Sequence, residues 1–528
     1  MENKRVLLAI ILSALVVFVY STYFMPTPPQ VSQQPTTTTE TELSKEAIKT
    51  QETVADRPSK QAASQEVTLI KAEESSIDLS KFKAVFSSQG GGGLKSFELK
   101  EYRAELDEKS PYVNRVNIGA GDPLPLSLSF IGKDINLSNN DVFSIKEKGS
   151  NKLVYEWSNG EGVTFEKSYT FQPDDYKIDI HIRVINASGK TLEGSLGLSL
   201  FERYEDKERS KYDIWRVITR TETDLDTVDF DDLKKEKDIK EGNIRWIGLE
   251  DKYFITAILP EETMAGTVRS RSEKNSLIAT TLEMNLSVDS GSEKLIKYSV
   301  YSGPKELNIL KSVGKGLEEA IDLGFFHAIA EPLLRFLKFI YSYVGNYGYA
   351  IIVVTLIIKL LFFPLANKSY KSMSEMKKLQ PQMTELKEKY KDNKERMSKE
   401  VMALYKKNRV NPLSGCLPMV LQIPVFIALY NVLLNGIELR HTPFHFWIVD
   451  LSTKDPYYIT PIVMGATMFL QQKMSPSVPD ATQQKVMMLM PVVFTFMFMN
   501  LPSGLVLYWV VNNILSITQQ YYIMKRTT

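Results

Sequence analysis

One lysine stands inside the apolar run Tyr349 to Pro364, YAIIVVTLIIKLLFFP, and no other residue in the chain is so costly to place. A charge at the centre of a membrane-spanning helix costs roughly 2.5 to 3.5 kcal/mol, so Lys359 must face a partner or a water-filled cavity. Thr355 lies one turn earlier, at i−4, on the same face. Gln422, Asn512, Asn513 and Ser516, in later apolar segments, could add polar lining. None of these segments contains Asp or Glu, so a helical bundle built from them offers no ion pair. Lys359 lies about eight residues, or roughly 12 Å, from the end of the run near Asn367, further than a lysine comfortably snorkels. The reading that follows is a wet cavity open to the cytoplasm. Facing it would be a flexible apolar set, Met464, Met468, Met474, Met487, Met488, Met490, Met497 and Met499, suited to partners of variable shape.

Other chemistry is sparse. His441 and His445 are spaced i, i+4, but Pro443 between them argues against a helix and no Glu accompanies them, so metal binding is disfavoured and no cofactor is expected. Cys416 is the single cysteine and reads as a small buried hydrophobe. Gly90 to Gly93 lacks the Gly-Lys-Ser/Thr of a phosphate loop and reads as a turn between strands. No nucleophile stands in a recognisable catalytic frame, and the chain reads as a non-enzyme. A formal net charge of +1 over 528 residues gives no global basic field, and no DNA partner is expected.

The elements that would position Lys359 follow from periodicity. Residues 1–25 open with Lys4 and Arg5 and then run apolar for bilayer length, an uncleaved anchor with its N-terminus in the cytoplasm. Residues 26–66, rich in Pro, Thr and Gln and free of aromatics, form a disordered tether. From 67 to 314 the period becomes two, most clearly in Tyr176 to Val184, and predicts an extracytoplasmic β-sandwich domain. The charged stretch from Glu202 to Glu241 within it reads as a solvated loop or hairpin arm. Residues 315–346 carry an amphipathic pattern and predict a helix in the interface plane. Residues 347–528 then hold five spans, at 349–364, 413–434, 457–470, 486–501 and 504–523, which with the anchor makes six transmembrane helices. Two are short against a hydrocarbon core of roughly 30 Å, so local thinning of the bilayer is expected. The loop at 367–412 carries thirteen basic against six acidic residues, +7 in all, which places it in the cytoplasm with the C-terminus. Its three-to-four spacing of Met and Leu predicts a helical hairpin whose charge suits RNA or anionic lipid.

Five motifs carry a resemblance: Asn411-Pro-Leu-Ser-Gly-Cys-Leu-Pro418, Gln422-Ile-Pro-Val-Phe-Ile-Ala-Leu-Tyr430, Asp455-Pro-Tyr-Tyr458, Gln472-Lys-Met-Ser-Pro476 and Leu501-Pro-Ser-Gly-Leu-Val-Leu-Tyr508. Over about 340 to 524 the chain resembles the YidC/Oxa/Alb family of membrane protein insertases, of the Gram-negative bacterial type. Trp246 to Phe254 and Tyr301 to Lys305 extend the likeness weakly into the β domain. The resemblance implies an α+β protein: a polytopic α-helical membrane domain of six helices, five forming the core, plus a large periplasmic β-supersandwich domain. It also implies a hydrophilic groove whose positive residue falls on Lys359, where many relatives have Arg, with Thr355, Gln422, Tyr508 and Trp509 as polar companions. Trp509 replaces a common Tyr there.

The implied activity is insertion and chaperoning of nascent membrane proteins at the inner membrane, without ATP chemistry. The implied partners are the ribosome, the Sec translocon and lipid, with Lys377, Lys378, Lys387 and Lys389 as hairpin contacts. Two readings from other classes stay open: a secondary transporter using Lys359, and a carbohydrate-active β-domain enzyme, which would need a carboxylate pair that the sequence does not reveal.

Overall fold

The computed structural model describes residues 71–204, 213–273, 276–391, 393–408, 410, 417–475 and 481–527. The expected anchor and tether, the Asn411 to Cys416 motif and Pro476 lie outside them.

A small antiparallel sheet comes first, from β1 (Glu74–Asp78), β2 (Phe82–Ser87), β3 (Gly93–Arg103) and β4 (Tyr112–Asn114). A larger sheet begins with β5 (Ser127–Gly132), β6 (Asn136–Leu137), β7 (Ser144–Lys148), β8 (Lys152–Ser158) and β9 (Val163–Phe171). It continues with β10 (Lys177–Asn186), β11 (Leu192–Arg203), β12 (Trp215–Thr221), β13 (Leu225–Asp229) and β14 (Asp238–Asp251). It ends with β15 (Phe254–Pro260), β16 (Met264–Ser272), β17 (Leu277–Val288) and β18 (Ser292–Pro304). Its order is β6-β5-β11-β17-β16-β14-β15-β18-β10-β9-β8-β7, with β12 pairing β13 and β14. β12, β13 and the start of β14 absorb much of the charged stretch, as paired strands.

The period-two reading of β10 holds residue by residue. Ile178, Ile180, Ile182 and Val184 point inward and are fully buried, paired across the ladder with Phe171, Tyr169, Lys167 and Phe165 of β9. The small sheet closes over this face through Phe82 and Phe86, whose rings meet Tyr169 and Phe171. Gly90, Gly91 and Gly92 form the turn into β3 with positive φ, and a Cβ on Gly92 would come within 2.5 Å of the Tyr155 ring.

Several charges are buried against the apolar pattern, Lys167 and Glu202 among them. Lys167 takes the inward position that periodicity assigns to a hydrophobe; its amine donates to the carbonyl of Leu126, and burial pushes its pKa well below the usual lysine value. Glu202, on β11, is buried near Arg115 and Asp251, and burial pushes its carboxyl up to about 7. A folded-state pKa above the unfolded value means that the folded domain holds the extra proton between about 4.5 and about 7. Stability contributed by that proton is therefore full at the low end and is lost as pH rises through about 7. Buried Lys167 acts with the opposite sign, so the Glu202 contribution is read against a variant: from pH 5.5 to pH 8 the wild-type β domain should lose on the order of 1–2 kcal/mol of stability relative to Glu202→Gln in thermal unfolding. Parallel profiles for the two proteins exclude Glu202 as a source of pH dependence.

The helical part begins at α1 (Leu307–Val313) and a 3-10 turn, Leu317–Ala320, then α2 (His327–Val344). The helix expected over 315–346 is thus confined to 327–344, because Gly314, Lys315, Gly316 and Gly324 all take positive φ and interrupt the backbone before it. Gly345 closes α2 in the left-handed conformation, and Asn346 caps α3 (Tyr347–Lys378) by accepting from the Tyr349 amide at 3.2 Å. There follow α4 (Gln380–Lys389), α5 (Lys394–Lys407), α6 (Leu417–Asn435), α7 (Ile459–Met474), α8 (Ala481–Phe498) and α9 (Ser503–Thr527). Among the described helices, α3 is the one both long and apolar enough to cross a bilayer by itself; Gln422–Asn435 and Met487–Phe498 are shorter apolar stretches. Helix length and composition among the described residues do not by themselves establish six spans; α6 and α8 are continuous helices with Pro424 and Pro491 inside them.

The β domain and the helices share one continuous hydrophobic core. Polar contacts fix the junction. Arg440 donates to the carbonyls of Arg103 (2.7 Å) and Ala104 (3.1 Å), and Asn431 and Asn435 donate to those of Leu323 and Asp322. Lys338 of α2 bridges Glu306 (2.6 Å) and Glu438 (3.3 Å).

Candidate functional site

α3, α6, α7, α8 and α9 surround a cavity of about 770 Å³. α3 and α9 form one wall, and each turns a single helical face to it: Lys359, Phe362, Ala366, Tyr370 and Met373 on α3, and Tyr508, Trp509, Asn512, Ser516 and Gln520 on α9. The spacing of three and four in both sets is what brings them to one surface.

Lys359 donates to Ser516 Oγ at 2.7 Å, and Ser516 in turn donates to the Asn512 carbonyl at 2.7 Å. Gln422 reaches from α6 to Asn512 Oδ1 at 2.7 Å. A lysine ammonium has three donors, so one serine leaves it capacity for a further acceptor. No Asp or Glu occurs in α6, α7, α8 or α9, nor in α3 before Glu375. The sequence-based expectation of a cation without an intramembrane carboxylate is thus met by a hydroxyl from the facing helix.

The opposite wall combines a pliant methionine set with a polar end of α7, Gln471, Gln472, Lys473 and the adjoining Ser475. Met468 of α7 and Met487, Met488 and Met490 of α8 line the cavity, while Met464 is buried between helices and Met497 is exposed outside it. Outward faces are apolar: Leu360 and Leu361 of α3 are 60% and 73% exposed, with Ile462, Phe469, Leu489 and Phe496 on neighbouring helices. A contiguous apolar surface of this extent is what lipid, rather than water, tolerates.

Of the residues singled out from sequence, Lys359, Gln422, Tyr508 and Trp509 meet at the cavity. Thr355 does not line it: it is buried, and its hydroxyl turns back on its own helix to the Ile351 carbonyl at 2.6 Å. Trp509 presents a buried indole N–H with no hydrogen-bond partner among the described residues. Sequence reasoning missed Tyr370 and gave Met373 and Lys377 to the hairpin; all three line the cavity because α3 continues unbroken past its apolar run. It also missed Gln520, one turn beyond Ser516 on the same face.

The hairpin has its own small core of Leu379, Met383, Tyr405 and Val410, in which the Tyr405 hydroxyl donates to Met383 Sδ at 3.0 Å. Lys377, Lys378 and Lys389 are exposed around it, and Lys387 is half-buried. His441 and His445 gather no metal-ligand cluster among the described residues; His445 instead meets the Tyr349 hydroxyl.

Comparison with known proteins divides the chain within α2, beyond the last strand. A family described as "60Kd inner membrane protein" matches residues 339–528, and one described as "YidC periplasmic domain" matches residues 75–336. The chain is 43% identical over 546 residues to the membrane protein insertase YidC of Syntrophus aciditrophicus, covering 99% of this chain and 100% of that protein. It is 42% identical over 537 residues to the protein of the same description from Geotalea daltonii, covering 99% of each. Among solved structures, an active YidC insertase crystal structure with the first transmembrane domain resolved matches at 19% identity and a TM-score of 0.39, over 86% of this chain and 93% of that one.

Proposed function

The chain belongs to the YidC family of membrane protein insertases, and from that premise we propose that it is an inner-membrane protein that passes apolar segments of nascent membrane proteins from its groove into the bilayer, alone or beside the Sec translocon. The observation that carries this reading is a cavity of mixed character: a cation and carboxamides on α3, α6 and α9, and Gln471, Gln472 and Lys473 at the end of α7, share it with Met468 of α7 and the methionines of α8. A polar client segment is held near Lys359, Gln422, Tyr508 and Trp509 while its apolar segment slides along the methionine wall into lipid, where burial of apolar surface drives release. Thr355 acts only by shaping the face of α3. No nucleotide or metal takes part.

The arrangement around the groove belongs to the same reading. Residues 1–25 anchor the chain, 26–66 tether a periplasmic β domain at 67–314, and 315–346 hold the interfacial helix. Residues 347–528 form the core, with its hairpin at 367–412 and both termini in the cytoplasm. Six spans result, with α6, α7 and α8 covering the bilayer where it is thinned; the sixteen residues of α7 rise about 24 Å.

Purified protein in protein-free liposomes should insert a one-span client, made by cell-free translation, well above the level in empty liposomes and without added ATP, scored by protease protection. Solute or proton flux with no insertion would replace this reading by that of a secondary transporter. A second outcome concerns the hairpin. Reversing Lys378, Lys387 and Lys389 to Glu, with groove-lining Lys377 kept, should lower co-sedimentation with ribosomes about fivefold or more at low salt, because contacts to phosphate are chiefly electrostatic. Insertion of a client already released from the ribosome should stay unchanged.

A further inference from the structure

The α9 wall of the groove carries two buried polar atoms that nothing among the described residues satisfies. Trp509 Nε1 is a donor without an acceptor, and Gln520 Oε1 is an acceptor without a donor, on a side chain only 1% exposed. Both residues line the cavity. They stand eleven residues apart, which is close to three full turns, so they share one face about 16 Å apart along the axis. Between them on that face lie Asn512, Asn513 and Ser516, whose polar groups are engaged with Gln422, Thr467 and Lys359. The stripe is uncharged along its length, and Lys359 touches it only at Ser516.

Buried polar atoms left unpaired in a native protein call for an explanation. Here the unpaired atoms are a donor and an acceptor at the two ends of a straight polar row inside a cavity. An extended peptide rises about 3.3 Å per residue, so about five residues cover 16 Å, and its backbone offers one N–H and one C=O per residue whatever the sequence. Amide chemistry on the wall matches amide chemistry in the chain it would hold. We infer that the α9 stripe, from Trp509 to Gln520, binds an extended backbone segment of the client, of about five residues, through its peptide groups. This rests on the insertase reading and deepens it: the groove recognises main chain along α9, and charge on the client is recognised separately, at Lys359.

The test replaces peptide groups rather than side chains. A one-span client whose translocated tail lacks acidic residues is made by cell-free translation in two forms, one with five consecutive tail residues and one with the same positions as α-hydroxy acids. The ester backbone keeps the side chains and removes the N–H donors. With full-length protein in liposomes, the ester client should insert about threefold or more less well than the amide client. Gln520→Met, which removes the acceptor at similar volume, should lower insertion of the amide client by a clearly larger factor than that of the ester client, which has no N–H for the acceptor to meet; insertion of the ester client above empty liposomes also shows that the variant is folded. Trp509→Phe should lower insertion of both clients, since the ester keeps its carbonyls. Equal insertion of the two clients by the wild-type protein overturns the inference while the insertase reading stands. Equal loss of both clients in Gln520→Met overturns it too, as the mark of a structural role. No insertion of the amide client above empty liposomes would bring down the insertase reading, and this inference with it.

Discussion

Replacing Lys359 by Ala should reduce insertion of a client with an acidic translocated tail by about tenfold or more, while Lys359→Arg retains most of it. The magnitude follows from what the amine has left to offer. Its visible partner is Ser516 Oγ at 2.7 Å, a neutral acceptor, and a hydrogen bond between charged groups contributes roughly 1.5–3 kcal/mol. At 1.4 kcal/mol for each factor of ten, the loss of one such contact is tenfold to about a hundredfold. Folding should be spared, because Ser516 continues to donate to the Asn512 carbonyl and no buried carboxylate is stranded. Arginine keeps the charge and adds a planar fork, so its variant tests charge against shape. A client with a neutral tail should lose much less. Unchanged insertion of the acidic client by a folded Lys359→Ala protein would remove the groove charge from the mechanism.

The second large effect lies in the β domain. Glu250 is fully buried and is held by two cations, Arg216 and Lys305, the latter at 3.0 Å. Arg216 also approaches Asp322 in the segment leading to the helices, at 3.9 Å. Removing the shared anion strands positive charge in a low-dielectric interior, which typically costs 3–5 kcal/mol. Glu250→Ala should therefore lower the unfolding temperature of this domain in the full-length protein by about 10 °C, at the 2–4 °C per kcal/mol usual for domains of this size. Lys305→Met should do less harm, since the Arg216–Glu250 pair survives. A shift of under about 1 °C for Glu250→Ala would mean that water or relaxation compensates the pair. Its position at the junction also gives the triad a reach beyond its own strands.

Features set by local repetition were the ones visible in the sequence. β10 announces itself because both faces of the strand obey one rule, apolar in and polar out, and its neighbours satisfy that rule. Lys359 was conspicuous because a single charge interrupts an apolar run. What escaped notice depends on distant partners. Arg440 meets carbonyls more than three hundred residues earlier, and no local pattern encodes that. Thr355 shows the limit of face assignment: helical spacing puts it beside Lys359, yet a threonine can satisfy itself on its own helix and withdraw from the cavity. Met373 has the spacing of a hairpin residue and lines the groove instead, because the helix that carries it does not stop at the end of its apolar run.

That continuity has a mechanical meaning. α3 is one helix of 32 residues, about 48 Å of rod, with Lys359 in its upper half and Lys377 at its foot. Pro364 has no amide hydrogen, so the rung to the Leu360 carbonyl is missing at that level, and this is the softest joint in the rod. Hairpin and amine thus stand on two arms of one helix joined at its softest point, a joint at which the lower arm can tilt while the upper arm keeps Lys359 against α9.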